Sequence, residues 1–332
     1  MWRANRFGAI RGLAGLGLAA TLACGVAVAQ ERPKAVATVG MIADVGQNVA
    51  GTCLDVTALM GPGIDPHLYQ ASAGDVRTFD RADIILYSGY SLEGQLGEVL
   101  AKFESRKPTL AVSPASIPPA ELIAAQGVYG IDPHLWMDVR LWAMLAPTIA
   151  EAFAEVAPDC GAQMQQNTEA YAAQLGGLHD WIKASVASIP QEQRILVTAH
   201  DAFGYYGRAY GIEVIGIQGI STEAEASVAD IRNVAQLVVD RDVPAIFVES
   251  TINPRTVQAI IDAAREKGHA VTIGGELYSD AMGEPGTAGS TYIGMLFENT
   301  RTIVTALGGE LAPLPQTLKS WAEQWNVDVA EQ

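Results

Sequence analysis

Short apolar runs alternate with helix-period segments along almost the whole chain, and that alternation restricts the fold more than any other feature. In the first half the runs lie at 35–39, 56–60, 84–87 and 109–112, with helical patterns at 42–50, 73–81 and 92–104. A proline-containing loop at 113–119 and an irregular stretch lead to a helical pattern from about 136 to 156. The second half repeats the logic, with runs at 194–198, 213–217, 245–248 and 270–273. Its helical patterns fall at 202–210, 226–239, 254–267 and 291–307, and a short one closes the chain at 314–323. Strands separated by helices cannot pair as hairpins, so the pattern implies mostly parallel sheets with helices on both faces.

Between the halves, residues 161–189 read as one helix. The segment has no proline, Pro158 and Pro190 bracket it, and apolar residues recur at Tyr171, Leu175, Leu178, Ile182 and Val186. That spacing is a helical stripe, and a helix of this length would span about 40 Å. A chain of 332 residues also exceeds the length at which one core stops growing, about 250–300 residues. The expectation is an α/β chain of two lobes, 30–157 and 191–332, each a mostly parallel sheet flanked by helices. A connecting long helix within 158–190 would join them. The competing expectation is an ordinary core helix inside one large domain.

Residues 1–29 stand outside that pattern. Arg3, Arg6 and Arg11 precede an apolar stretch from about 13 to 28 that ends in Ala27-Val28-Ala29, the layout of a cleavable secretory signal. A competing reading makes Cys24 an acylated lipoprotein cysteine, but Thr21 stands where such signals usually carry Leu. The expected location is the periplasm or an equivalent exported space. The formal net charge of −16, more acidic still without the signal arginines, argues against nucleic acid and anionic membrane as partners. Without Cys24, Cys53 and Cys160 remain, an even pair that an oxidising compartment permits to bridge and that is too far apart in sequence for a CxxC knuckle.

The chain holds five histidines, and two share one local frame: Asp65-Pro66-His67-Leu68-Tyr69 and Asp132-Pro133-His134-Leu135-Trp136. Proline fixes φ immediately before each imidazole and pushes the preceding Asp out of the helical region. A histidine held rigidly at a loop edge suits a metal ligand, although a loop histidine satisfied by backbone would read the same way. His200 directly follows the run 195–199. Asp280 closes the loop after 271–273 and competes on spacing alone with Glu249, Glu276 and Glu284. All four positions lie at or beyond the ends of strands, where open α/β sheets bind ligands. His179 reads as a surface residue of the long helix and His269 as a solvated turn residue. Asp65, Asp132 and Asp138 are candidates for orienting the imidazoles.

Three imidazoles and one carboxylate would close a tetrahedral shell around zinc, or hold manganese with an added oxygen. A hydrolytic zinc site keeps a position open for water, which four protein ligands do not. The set therefore favours binding of one Zn2+ or Mn2+ per chain over catalysis, and no HExxH signature is present. Two alternatives stay open: a secreted zinc-dependent hydrolase with Glu249 or Glu276 as base, and a binding protein for a chelated metal.

With these residues in view, the chain resembles the metal-specific solute-binding proteins of ABC transporters, the TroA-like or ZnuA-like family. The resemblance is carried by 59–67, 82–87, 132–138, 197–203, 246–250 and 274–280. It implies two α/β lobes joined by one long helix, a metal in the interlobe cleft, and delivery to a membrane permease by a monomeric, non-enzymatic receptor. The family's ligand pattern falls on His67, His134, His200 and Asp280, with His rather than Glu at the third position. Zinc-specific members often carry a His- and acid-rich loop before the second ligand. Here residues 116–130 hold only Glu121, so zinc versus manganese stays open. The implied topology puts Cys53 and Cys160 together at the end of the first lobe away from the metal, and a disulfide between them is expected.

Overall fold

In the computed structural model, residues 31–125 and 130–327 are described; the signal reading of 1–29 and the Cys24 alternative lie outside them. The first half runs β1 (Lys34–Ala37), α1 (Gly40–Ala50), β2 (Asp55–Ala58), α2 (Ala73–Arg81), β3 (Ile84–Tyr87), α3 (Leu96–Glu104), β4 (Thr109–Ala111) and α4 (Val112–Ser116). The strands form one parallel sheet in the order β2-β1-β3-β4, with Val36 opposite both Thr57 and Ile85. The chain leaves β1 to one side for β2 and returns to the other side for β3. That reversal opens a crevice at the carboxyl ends of the strands. α3 starts at Leu96 rather than 92, because residues 88–94 form a turn with positive φ at Gly89, Tyr90, Ser91 and Gly94.

The helical pattern at 136–156 is broken into a 3-10 turn (Leu135–Met137), α5 (Val139–Ala143) and α6 (Leu145–Val156). Asp138 adopts extended backbone and its carboxylate accepts from the Arg140 and Leu141 amides, which starts α5. Pro147 has no N–H for the Ala143 carbonyl, so α5 cannot run straight into α6. α7 (Gly161–Val186) follows as an unbroken helix, burying Met164, Tyr171, Leu175, Leu178, Trp181, Ile182 and Val186. The expected stripe is therefore its buried face.

The second half runs β5 (Ile195–His200), α8 (Gly204–Tyr210), β6 (Glu213–Gln218), α9 (Val228–Asp240), β7 (Ala245–Glu249), α10 (Arg255–Glu266), β8 (Thr272–Leu277), α11 (Tyr292–Ala306) and α12 (Lys319–Gln324). Its strands are parallel but pair as β5-β6 and β7-β8 rather than in one ladder. β5 and β7 lie side by side. At their carboxyl ends the Glu249 side chain, not a backbone carbonyl, accepts from the His200 amide at 2.8 Å. β8 runs through Gly274-Gly275, which reads as a break in sequence. Phe247 packs so close to Gly274 that a Cβ there would lie 2.7 Å from its ring, and a register irregularity falls at Ile246/Phe247, the usual meaning of glycine inside a strand.

One hydrophobic core extends from β1, β3 and α1 through α6 and α7 to α11 and Phe247 and Leu277. A second fills the other face of β5–β8 against α9 and α10 through Val197, Val238, Ile246, Val257 and Ile260. Cys53 and Cys160 form the expected disulfide, Cα atoms 6.1 Å apart, joining the turn before β2 to the turn before α7. Among the described residues no helix is long and apolar enough to cross a membrane.

Candidate metal centre

Each of the four singled-out residues is placed by a local device. In both Asp-Pro-His turns the Asp Oδ1 accepts from the histidine amide two residues on, at 2.9 Å for Asp65–His67 and 3.0 Å for Asp132–His134. This is an Asx-turn, with proline as its rigid middle. His200 ends β5, whose six residues are all buried. Asp280 is held from the residue before it: the Trp136 indole N–H donates to the Ser279 carbonyl at 2.8 Å. Trp136 also packs edge-on against His134 at 5.2 Å and receives the Tyr292 hydroxyl on its carbonyl at 2.6 Å. The second turn and the Asp280 loop are thereby one unit.

These devices bring four donors to one point. His67 Nε2 lies 3.3 Å from His134 Nε2, and His200 Nε2 lies 3.4 Å from it. The Asp280 oxygens lie 3.3 Å from His200 Nε2, 3.5 Å from His134 Nε2 and 3.7 Å from His67 Nε2. A tetrahedral ion with bonds of about 2.0–2.1 Å separates its donors by about 3.3–3.4 Å. The cluster matches that spacing, and its four residues are no more than 1% exposed. Among the described residues it is the group of His, Cys, Asp or Glu with metal-holding geometry. Of the acids that competed with Asp280 on spacing, Glu276 and Glu284 are exposed and Glu249 faces the back of His200.

That last placement was not read from sequence. Glu249 Oε2 lies 2.5 Å from His200 Nδ1 while Oε1 takes the His200 amide. Asp132 Oδ1 lies 2.7 Å from His134 Nδ1. A carboxylate on Nδ1 keeps the proton there and leaves the Nε2 lone pair toward the centre. Asp65 acts differently, since its second oxygen accepts from the Thr222 hydroxyl at 2.6 Å and so ties the first turn to the loop after β6. Asp138 orients no imidazole; it caps α5. The strand-end position of Glu249 in the run Phe247-Val248-Glu249 was its available signal, because β5 and β7 are neighbours.

The electrostatics follow. Burial lowers His134, but Asp132 and Asp280 outweigh it and bring the imidazole to about 9. His200 also stands well above its ordinary value, burial being outweighed by Glu249 and Asp280. Burial dominates at His67 and takes it to about 4. Asp280 is held well below the carboxylate range: burial raises it, and His200 and His134 more than reverse that. Three carboxylates facing three imidazoles thus favour added positive charge, supplied by protons or by a cation. The other two histidines are elsewhere. His179 is half-buried against Tyr210, ring centres 5.4 Å apart, rather than on the surface. His269 is half-buried too, its Nε2 2.9 Å from the Val243 carbonyl.

A deeply buried His3Asp cluster on a parallel α/β scaffold with one long helix defines a metal-receptor type of protein, and comparison with known proteins agrees. The profile of the periplasmic zinc-uptake complex component A family, ZnuA, matches residues 35–306, and the chain belongs to that family. It is 45% identical over 281 residues to the zinc-binding protein TroA of Treponema pallidum, covering 85% of this chain and 91% of that protein. It is 42% identical over 279 residues to the manganese-binding lipoprotein MntA of Bacillus subtilis, covering 84% and 91%. The solved structure of the Treponema pallidum periplasmic zinc-binding protein superposes with a TM-score of 0.81, covering 83% of this chain and 99% of that one.

Proposed function

We propose that this chain is the exported solute-binding component of an ABC transporter, capturing one zinc or manganese ion and passing it to a membrane permease for import. His67, His134, His200 and Asp280 would hold the ion. The observation that carries this reading is the spacing of the four donors, 3.3–3.7 Å in five of their six pairs, with every donor buried. Family membership supports the transport role, and the relatives named for zinc and for manganese support both ions as cargo.

Binding rather than catalysis follows from the donor count. Four protein donors fill a tetrahedral shell and leave no position for a reacting water. Glu249, the strongest candidate for a hydrolytic base, has both oxygens engaged by His200. We take residues 30–157 and 191–332 as the two lobes and α7 as the rigid element between them, with export through the signal at 1–29 and the monomer as the working form. X-ray absorption on zinc-loaded protein tests the site. Three imidazole nitrogens and carboxylate oxygen at about 2.0–2.1 Å are expected; a shell rich in water oxygens would overturn it.

A further inference from the structure

The turn between β3 and α3 concentrates left-handed backbone. Gly89, Tyr90, Ser91 and Gly94 have φ of 87°, 50°, 62° and 45°. Tyr90 and Ser91 carry side chains that disfavour this region, and such a conformation persists only where its surroundings over-determine it. Glu93 supplies the constraint. It is 2% exposed; Oε1 accepts from the Ser88 amide at 2.5 Å and the Thr38 hydroxyl at 2.8 Å, and Oε2 from the Gly89 amide at 3.3 Å. A buried carboxylate is costly to keep, and this one belongs neither to the four donors nor to their Asp132 and Glu249 partners. It binds the carboxyl ends of β1 and β3 to the turn.

The turn meets the metal cluster at one point. A Cβ built on Gly94 would lie 2.5 Å from the His67 carbonyl oxygen and 3.4 Å from its carbonyl carbon. Backbone therefore rests on backbone there, and no side chain fits between. We infer that Glu93 and Gly94 are positioning residues for His67: the Glu93 carboxylate locks the 88–94 turn, and the bare corner at Gly94 seats the His67 peptide so that its imidazole meets the other three donors. The inference rests on the capture reading above.

The test uses the demetallated full chain and four variants: Gly94→Ala, Glu93→Gln, Gly211→Ala and His67→Ala. Gly211 also has positive φ, 75°, but open space around its Cβ, so it reports backbone strain without contact to the site. Zinc affinity is measured by chelator competition, and cobalt(II) absorption reports the ligand geometry. Gly94→Ala should bind zinc about 10–100-fold more weakly, the usual cost of disturbing groups behind a ligand, and lose intensity in the tetrahedral cobalt bands. Gly211→Ala should lower the melting temperature while leaving affinity and spectrum unchanged. Glu93→Gln, which sets an amide N–H2 against a backbone amide, should weaken binding in the same direction and keeps the test available should Gly94→Ala not fold. If Gly94→Ala and Glu93→Gln keep parental affinity and spectrum while His67→Ala loses them, the turn is structural only and the inference fails. If His67→Ala itself keeps parental affinity, the capture reading fails and takes the inference with it.

Discussion

Replacing Glu249 by Gln tests how the cluster is tuned without touching a proposed donor. The parental carboxylate accepts from the His200 amide at 2.8 Å and from Nδ1 at 2.5 Å. Glutamine offers one acceptor and one donor to the same two N–H groups. Whichever way the amide turns, one donor faces another, or the imidazole moves its proton to Nε2 and blocks the lone pair aimed at the centre. A hydrogen bond to a charged group contributes about 1.5–3 kcal/mol, and at 1.4 kcal/mol per tenfold its loss weakens metal binding roughly 10–100-fold. A second effect opposes the first. Glu249 is a leading cause of the raised proton affinity of His200, so the variant also loses proton competition. The deficit should be largest near pH 8 and shrink toward pH 5.5. Chelator competition across that range, with circular dichroism to confirm the fold, measures both. Affinity within twofold of the parent at pH 8 would refute the reasoning.

Three further outcomes are expected. With His134 near 9 and His200 also held well above its ordinary value by Glu249 and Asp280, capture must expel protons, so zinc affinity should already fall below pH 9, at about tenfold or more per pH unit; titrations from pH 5.5 to 8.5 check this, and a flat profile would contradict it. Breaking the disulfide with Cys53→Ser and Cys160→Ser frees a loop spanning 107 residues, which the chain-entropy model values at about 4–5 kcal/mol. Urea unfolding should show the loss, while metal affinity stays unchanged because the bridge lies before β2 and His67 after it. Asp44 is buried and its pKa is raised from 3.8 to about 6 by burial. The folded state holds this proton more tightly than the unfolded one, so stability from this group is present below pH 4 and is lost as pH rises to 6. The loss is about 3 kcal/mol at 1.36 kcal/mol per unit, and Asp44→Asn should flatten the unfolding free energy across that window.

The fold was legible wherever local pattern determined structure. The runs at 84–87 and the helix at 73–81 were read to the residue, since Ser72 and Asp75 form a capping box at the latter. The helix at 136–156 was not, because its interruption depends on the Asp138 cap and on Pro147 facing Ala143, a conflict visible only once the register is known. The parallel strands of the second half were legible, but not which strand pairs with which, because ladder partners are set by distant strands rather than by the strand's own sequence. At the buried cluster the Asp-Pro-His repeat points to two of the four proposed donors, and strand-end position points to His200 and Asp280 beside them. Of the supporting groups, Asp132 behind His134 and Asp65 in the first turn are legible beside their histidines, whereas Glu249 and Thr222 are not. Glu249 lies 49 residues from His200 and Thr222 lies 157 from Asp65, distances over which sequence spacing carries no geometry. Tyr90 and Ser91 gave no sign of positive φ, although Gly89 and Gly94 bracketed them.

The most direct test of metal capture is competitive titration of the demetallated protein with zinc and with manganese, counting ions bound, beside His67→Ala. One tightly bound ion per chain, abolished by the substitution, is the expected result. Weak binding of either ion that is indifferent to His67 would contradict it.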